Sequence, residues 1–490
     1  MSPVLKRFFS GLQQHAQRTA LVESDRRLSY ADLLSEVGAR AQMLHQSGAK
    51  RLALALDNGI DWVLWDLAAL EAGLVCVPIP GFFSAEQKQH VLDSAGVDSL
   101  ITSEPSLYTQ WGFVDTLPYL LQRQPAQVPE LPAATVKITY TSGTTGQPKG
   151  VCLDADLQLR VAHSLWQASL ACQVETHLCV LPLATLLENI AGVYAPLLAG
   201  ASIELAPMAQ IGLQGASGFD LPRFLGTLSR VQPHSLILLP QLLMALVTAA
   251  ERGLPVPKSL RFIAVGGGRV APQLLERADA LGLPVYEGYG LSECASVVCL
   301  NAPARRRPGT VGKPLAHLQV QLAADGEVLV KGAQMLGYVG EPVQACEWLA
   351  TGDLGHFEGE FLVLHGRKKH QFITAFGRNV NPEWVESELV QLLPIAQAWL
   401  QGEAQPANVA VIVARFASSS DDEIARSIDQ VNQHLPDYAR VHHWLRAAQP
   451  FNAENGLATA NGRLRRAALN EHYQFAIAEC LAEETVLRSV

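Results

Sequence analysis

The run Thr139-Tyr140-Thr141-Ser142-Gly143-Thr144-Thr145-Gly146-Gln147-Pro148-Lys149-Gly150 follows an apolar strand and holds the densest chemistry in the chain. From Thr141 to Gly150 it carries three glycines and four hydroxyl residues. Glycines let a loop turn its backbone N–H groups toward an anion, hydroxyls add donors, and Lys149 adds a positive charge. Phosphate is the ligand such a loop suits. No Gly-Lys-Ser/Thr follows at the spacing of a Walker A loop, so this is a different phosphate loop. A second charged run lies near the other end, at Arg463, Arg465 and Arg466. Three arginines in a chain of net charge -9 do not make a nucleic-acid face, which needs many cations to neutralise successive phosphates.

The elements that must position these residues read as alternating strands and helices. Leu28–Leu44 has helical apolar spacing behind a Ser29 cap, Arg51–Leu56 is an apolar strand, and Asp61–Ala72 is a helix. Val75–Ile79 is a strand stopped by Pro80 and Gly81, Glu86–Ala95 a helix, and Val97–Thr102 extended. This alternation predicts an α/β fold, a mostly parallel sheet with helices on both faces. Leu121–Ala134, rich in Pro and Gln, reads as an exposed connection before a strand at Val136–Tyr140. The apolar run Leu236–Ala250 reads as a buried helix, shorter than the ~20 residues of a membrane span. From Val311 the texture turns to short strands, at Leu318–Leu322, Glu327–Lys331 and Glu360–Leu364. Beyond Gly366 come a helix at Pro382–Leu393, strands at Ala396–Gln401 and Asn408–Ala414, and a helix at Asp421–Leu435. These shifts predict a large N-terminal body over 1–366, with a small β-rich subdomain at about 311–365, and an α+β C-terminal domain over 370–490. The boundary falls at 367–369.

Composition agrees with several packed units. Of 490 residues, 49% are hydrophobic and 17% charged, which gives sizeable cores and excludes a disordered chain. The 37 Lys and Arg against 46 Asp and Glu disfavour a nucleic-acid partner. Eight cysteines, at 76, 152, 172, 179, 294, 299, 346 and 480, form no CxxC pair and no zinc spacing. They read as reduced, mostly buried thiols of a cytoplasmic protein. Met1–Gln17 carries Lys6 and Arg7 in an amphipathic pattern, not the apolar core of a secretory leader.

Further runs place the phosphate loop in a family. It resembles the phosphate-binding segment of the adenylate-forming (AMP-binding) enzymes, which include acyl-CoA synthetases, peptide-synthetase adenylation domains and luciferase relatives. Val265-Gly266-Gly267-Gly268 resembles that family's adenine-side turn, and Tyr286-Glu287-Gly288-Tyr289-Gly290-Leu291-Ser292-Glu293 its most diagnostic motif, with Ser292 where a Thr is usual. Trp348-Leu349-Ala350-Thr351-Gly352-Asp353 and His365-Gly366-Arg367-Lys368-Lys369 resemble its ribose-binding and hinge motifs. Gly377-Arg378-Asn379-Val380-Asn381-Pro382-Glu383 and Val385-Glu386 resemble the opening of its C-terminal domain. Phe451-Asn452-Ala453-Glu454-Asn455-Gly456-Leu457-Ala458-Thr459 is similar to the form in long-chain fatty acyl-CoA synthetases. The series follows the family's order along nearly the whole chain.

The resemblance implies ATP-dependent ligation. Adenylation joins a carboxylate to the α-phosphate of ATP, two anions that repel, so charge must be neutralised and the reactants aligned. Thr141, Ser142, Gly143, Thr144, Thr145, Gly146 and Lys149 would hold the β- and γ-phosphates. Glu293, with the Thr141 hydroxyl, would hold Mg²⁺. Gly266, Gly267 and Gly268 would admit the adenine edge and Tyr289 would stack on the base, within a nucleotide motif that includes Glu287, Gly288, Gly290 and Ser292. Asp353 and Arg367 would grip the ribose, and Lys369 would be the pivot about which the C-terminal domain swings between half-reactions.

The acyl end is marked by Leu181-Pro182-Leu183-Ala184-Thr185-Leu186-Leu187-Glu188-Asn189-Ile190, with Thr185 where the family usually has His. The helix that follows and Leu236–Leu246 are apolar enough to line a tunnel. No basic or polar group there marks a second carboxylate or an amino group, so the expected acid is a medium- or long-chain fatty acid. The acceptor is a thiol, coenzyme A or alternatively the phosphopantetheine arm of an acyl carrier protein. Arg463 stands where the family places its catalytic Lys, and a planar guanidinium fork is no simple replacement for a compact ammonium. That departure leaves a non-catalytic protein that binds ATP or acyl-adenylate as the reading from another class.

Overall fold

The computed structural model describes residues 2–141, 148–214, 218–342, 346–459 and 462–487, with 214 and 482–487 as backbone only. The chain separates into two compact units. The first comprises Met1–Gly267, Arg277–Gln321 and Leu329–Leu349, and the second Gly268–Glu276, Leu322–Val328 and Ala350–Val490. The stretch 311–365 is divided between them.

Two sheets build the first unit. One runs in the order Gly337–Tyr338, Lys149–Leu153, Lys137–Thr141, Val75–Pro78, Arg51–Ala55, Ser99–Thr102, Leu120–Gln122, Val114–Leu117. Its centre is parallel, and its central strands are apolar and buried, as helices on both faces require. The helix Tyr30–Ser47 opens on Ser29, whose hydroxyl accepts from the Asp32 N–H while the Asp32 carboxylate accepts from the Ser29 N–H, a reciprocal cap. The other sheet is parallel from Thr19–Glu23 through Ser202–Glu204, Thr176–Leu178, Ser235–Leu238 and Phe262–Val265 to Val285–Tyr289. The last three of these strands end, at their carboxyl termini, in Leu239-Pro240, Gly266-Gly267 and Gly290–Glu293. Ligands of parallel sheets bind at such ends.

Two expectations from the sequence are corrected. The run Leu236–Ala250 is not one helix but the end of a strand, Ser235–Leu238, followed by the helix Pro240–Glu251. Pro240 begins that helix, where a missing N–H is no loss. Leu120–Gln122, at the start of the connection expected to be exposed, is a strand antiparallel to Ser99–Thr102 that buries Leu121.

A buried polar network fastens the first sheet to a helix of the second. The Lys137 ammonium lies 2.8 Å from Asp66 Oδ1, with both side chains at most 2% exposed. Tyr194 and Asn189 donate to Asp66 Oδ2 at 2.7 and 2.9 Å, and Lys137 donates to the Tyr194 hydroxyl at 3.0 Å and to Asn189 Oδ1. Lys137 opens the strand that ends in Thr141, so the network holds the base of the phosphate-loop strand.

The second unit holds nearly all of the hairpin Leu349–Glu358 and Phe361–Arg367. A three-stranded sheet follows, Ile395–Gln401, Asn408–Ala414 and Val441–Arg446. Its alternate residues face opposite ways. Ala398, Leu400, Ala410 and Ile412 pack with Val385, Leu389, Ile424 and Ile428, whereas Trp399, Val409, Val411 and Val413 pack with Phe451, Leu469 and Ile477. Among the described residues no helix is long and apolar enough to cross a membrane.

Removing the cation from the buried network leaves Asp66 charged and unpaired. Lys137→Ala is expected to cost about 3–5 kcal/mol in urea unfolding. The double variant Lys137→Met with Asp66→Leu should recover most of it, and a single variant within about 0.5 kcal/mol of the parent would show the pair to be dispensable.

Candidate active site

In the first unit, Thr141 ends one strand and Lys149 opens the next, and the two are register partners of an antiparallel pair. The phosphate loop therefore links two hydrogen-bonded strands, with Thr141 and Lys149 at its mouth. Ser142, Gly143, Thr144, Thr145 and Gly146 lie outside the described residues. On the far side of Lys149–Leu153 the short strand Gly337–Tyr338 pairs with Val151 and Cys152. Its Tyr338 ring centre lies 5.3 Å from the Lys149 ammonium, and its hydroxyl donates to Glu293 Oε1 at 2.9 Å. The Met335 N–H donates to the Glu293 carbonyl at 2.6 Å. Tyr338 thus joins Glu293, from the diagnostic motif, to Lys149, from the phosphate loop. Lys149 also pairs with Glu341 at 2.9 Å, both side chains about half exposed, a weak contact that a phosphate can displace.

Carboxylate and hydroxyl oxygens are the hard donors Mg²⁺ prefers, so Glu293 and Thr141 suit that ion. Sequence reasoning missed Tyr338 and Glu341, because Tyr338 reaches the site by strand pairing, Glu341 follows in the turn after it, and neither belongs to a glycine-rich run.

On the adenine side, Gly266 and Gly267 follow Phe262–Val265, whose neighbour strand carries Glu287, Gly288 and Tyr289. Gly290 is obligatory: a Cβ there would sit 1.5 Å from the Ser296 carbonyl oxygen. Ser292 and Glu293 lie half-buried in the single turn Ser292–Cys294. Tyr289 is only 9% exposed, which leaves little of its ring for the stacking expected of it.

The acyl-side segment is braced at both ends. Asn58 donates to the Leu181 carbonyl and accepts from the Leu183 N–H, each at 2.8 Å, while Glu188 Oε2 accepts from the Leu181 N–H at 3.0 Å. Thr185 turns its hydroxyl back onto the Pro182 carbonyl at 2.7 Å. Leu242, Leu243 and Leu246 are core, whereas Leu239 is exposed and would contact any side chain placed on Gly267. Among the described residues His177, Cys179 and Glu188 bring three metal-type donors together. They form a hydrogen-bonded brace: His177 faces Ser235 at 2.8 Å and Glu188 at 3.3 Å, and Cys179 donates to the Gly192 carbonyl at 3.5 Å. Burial first, and the Glu188 charge second, push the Cys179 thiol well up, so it stays protonated.

In the second unit Asp353 and Arg367 are cross-strand partners in the hairpin, and Arg367 Nε lies 2.7 Å from Asp353 Oδ1. Asp353 is buried at 6% exposure. Arg367 also donates to the Thr351 carbonyl at 3.2 Å, and the Thr351 hydroxyl accepts from the Asp353 N–H at 3.1 Å. The two residues expected to grip one ribose are therefore held as a pair. Gly268 belongs to this unit as well. Lys369 lies in the turn Lys368–His370; desolvation lowers its ammonium below the usual range, and the charges of Arg367 and then Arg463 lower it further, against Glu383 and Asp353. The charges of Asp353, Arg367 and Arg463 thus all bear on Lys369. Arg463 closes a short turn, its N–H donating to the Thr459 hydroxyl at 3.0 Å and its carbonyl accepting from the Thr459 N–H at 2.7 Å.

The profile of the AMP-binding enzyme family matches residues 8–339, and that of the AMP-binding enzyme C-terminal domain matches residues 369–485. The chain belongs to the AMP-binding enzyme family. Similar curated members include the 2-succinylbenzoate–CoA ligase of Enterococcus faecalis, 27% identical over 88% of this chain and 92% of that one. The long-chain-fatty-acid–CoA ligase FadD15 of Mycobacterium bovis is 28% identical over 77% of this chain and 75% of its own. Among solved structures, an anthranilate CoA ligase in complex with anthranoyl-AMP superposes with a TM-score of 0.81 at 20% identity, covering 97% of this chain and 98% of that one. The o-succinylbenzoate coenzyme A synthetase of Bacillus subtilis, in complex with ATP and magnesium ion, gives 0.74 at 24% identity, covering 93% and 98%. These superpositions establish the fold: α/β with parallel sheets, a large N-terminal body and a C-terminal domain.

If Asp353 is the ribose acceptor expected from the sequence, nucleotide affinity depends on it. Asp353→Ala is expected to weaken ATP binding by about 1.5–3 kcal/mol, since it removes a charged acceptor and leaves Arg367 without its partner. Unchanged affinity by titration calorimetry would remove Asp353 from the site.

Proposed function

We propose that this chain activates a carboxylic acid with ATP and Mg²⁺ as an acyl-adenylate, releases pyrophosphate, and passes the acyl group to coenzyme A. The observation that carries this reading is the meeting of Lys149 and Glu293 on Tyr338, which sets a phosphate-binding cation beside a hard-cation carboxylate. Mg²⁺, when bound, spreads the charge of the leaving pyrophosphate. Lys149 and the loop it ends hold the β- and γ-phosphates, and Asp353 with Arg367 fixes the ribose. A carboxylate oxygen of the acid then attacks the α-phosphorus while Arg463 offsets the repulsion between the two anions. In the second half-reaction the thiol sulfur attacks the acyl carbon and AMP leaves. Lys369 is the pivot between the two arrangements.

The acid in this reading is a medium- or long-chain fatty acid. Leu239 offers apolar surface on one of the segments expected to meet it, and a fatty-acid ligase is 28% identical to this chain over 77% of its length, beside 27% over 88% for a succinylbenzoate ligase. Coenzyme A is preferred as acceptor because both relatives are CoA ligases by name.

Pyrophosphate release across a panel of acids, with and without coenzyme A, tests the reading. Release with fatty acids from octanoate to palmitate, and acyl-CoA formed only when the thiol is present, is expected. Release with 2-succinylbenzoate or anthranilate alone would replace the acid. Release with none would favour a protein that binds ATP or acyl-adenylate without ligation.

Lys369→Pro should separate the half-reactions, because proline fixes φ at the pivot. Acyl-adenylate should accumulate while acyl-CoA formation falls at least 10-fold, and equal survival of both steps would place the pivot elsewhere.

A further inference from the structure

We infer that the ion pair between Glu386 and Arg466 is the device that positions Arg463 for adenylation, an inference that rests on the role proposed above for Arg463. Arg466 donates from Nη1 to Glu386 Oε1 at 2.8 Å and from Nη2 to Oε2 at 2.6 Å. The Glu386 side chain is 9% exposed and that of Arg466 18%. A two-pronged, mostly buried contact of this kind fixes direction as well as distance. Glu386 is itself tied to the central sheet, since its Oε1 also accepts from the Leu400 N–H at 2.8 Å. Arg466 opens the helix Arg466–Leu487 and follows Arg463 in the same short run, so the anchor sits at the root of the turn that carries Arg463.

The same helix holds the ribose side. One turn before Glu386 on Pro382–Leu389, Glu383 accepts from the Arg367 N–H at 3.2 Å through Oε2 and meets His370 Nδ1 at 2.5 Å through Oε1. Burial pushes the Glu383 carboxyl up, but the His370 contact and the charges of His370 and Arg466 outweigh it and hold it below the usual carboxylate range. Residues three apart share one helix face. One face of Pro382–Leu389 therefore grips Arg367, which pairs with Asp353, and through Arg466 the segment of Arg463. Displacing a charged group by about 1 Å costs on the order of 100-fold in rate. The Arg465 N–H also donates to the Leu457 carbonyl at 2.9 Å, so this backbone contact and the ion pair together fix the base of the turn that carries Arg463.

Arg466→Lys keeps the charge and loses the fork, and Arg466→Met keeps most of the stem and loses both. Each should slow single-turnover adenylation by about 10- to 100-fold. ATP affinity, and acyl-CoA formation from supplied acyl-adenylate, should stay within about twofold in both variants, with Lys the milder. In an Arg463→Ala background, Arg466→Met should remove nothing further from adenylation. A purely structural pair would instead lower both half-reactions together, or cost the same factor with Arg463 present or absent, and either result overturns the inference. If Arg463→Ala alone leaves adenylation intact, the role proposed for Arg463 fails first and the anchor falls with it. If that variant is impaired while both Arg466 variants adenylate at the parent rate, only the anchor fails.

Discussion

Like charges must meet in the reaction proposed for this chain. A carboxylate and an α-phosphate at 4 Å repel by about 4 kcal/mol at the effective dielectric of a protein surface, and more as water leaves. The placement of cations follows from that repulsion. In the proposed reaction Lys149 would meet phosphate and Glu293 would seat Mg²⁺. Lys369 is held below its usual range by burial first and by the charges of Arg367 and Arg463 after it. Gathering like charges is costly unless carboxylates share the space, and Asp353, Glu383 and Glu386 supply them.

Two kinds of ion pair divide the labour. Those with buried partners are scaffold: Lys137 with Asp66 under the phosphate-loop strand, and Arg466 with Glu386 at the root of the Arg463 turn. Breaking either strands a charge away from water. Lys149 with Glu341 is the opposite case, half exposed on both sides and weak, so in the proposed reaction the ammonium would exchange a carboxylate for a phosphate at little cost. Burial separates the two scaffold pairs from the exposed Lys149–Glu341 contact.

The parts legible in the sequence are those whose signal is local. The phosphate loop, the Ser29 cap and the α/β alternation each lie within a short window, and the structure carries Thr141 and Lys149 at the loop's mouth and Ser29 at its helix. Where the meaning depends on what comes near from elsewhere, the chain gives no sign. Tyr338 reaches Glu293 by pairing with the strand of Lys149, and Arg466 meets Glu386 across a separation no periodicity spans. Tyr289 has the right type for stacking, yet its surroundings cover it. A short apolar stretch such as Leu236–Ala250 does not distinguish a buried strand from a buried helix, and Pro240 marks where the strand gives way to the helix.

The proposed chemistry turns on Arg463, which stands where the resemblance places the family's Lys and would have to do the same electrostatic task with a different shape. The most direct measurement is rapid-quench detection of acyl-adenylate in a single turnover with ATP, Mg²⁺ and a fatty acid, and no thiol. The native chain should form acyl-adenylate in an amount close to that of the enzyme. Arg463→Ala should slow its formation by more than 100-fold, the loss expected when about 3 kcal/mol of charge stabilisation is removed. No acyl-adenylate from the native chain with any acid, or an undiminished rate in Arg463→Ala, would contradict the role assigned to this arginine.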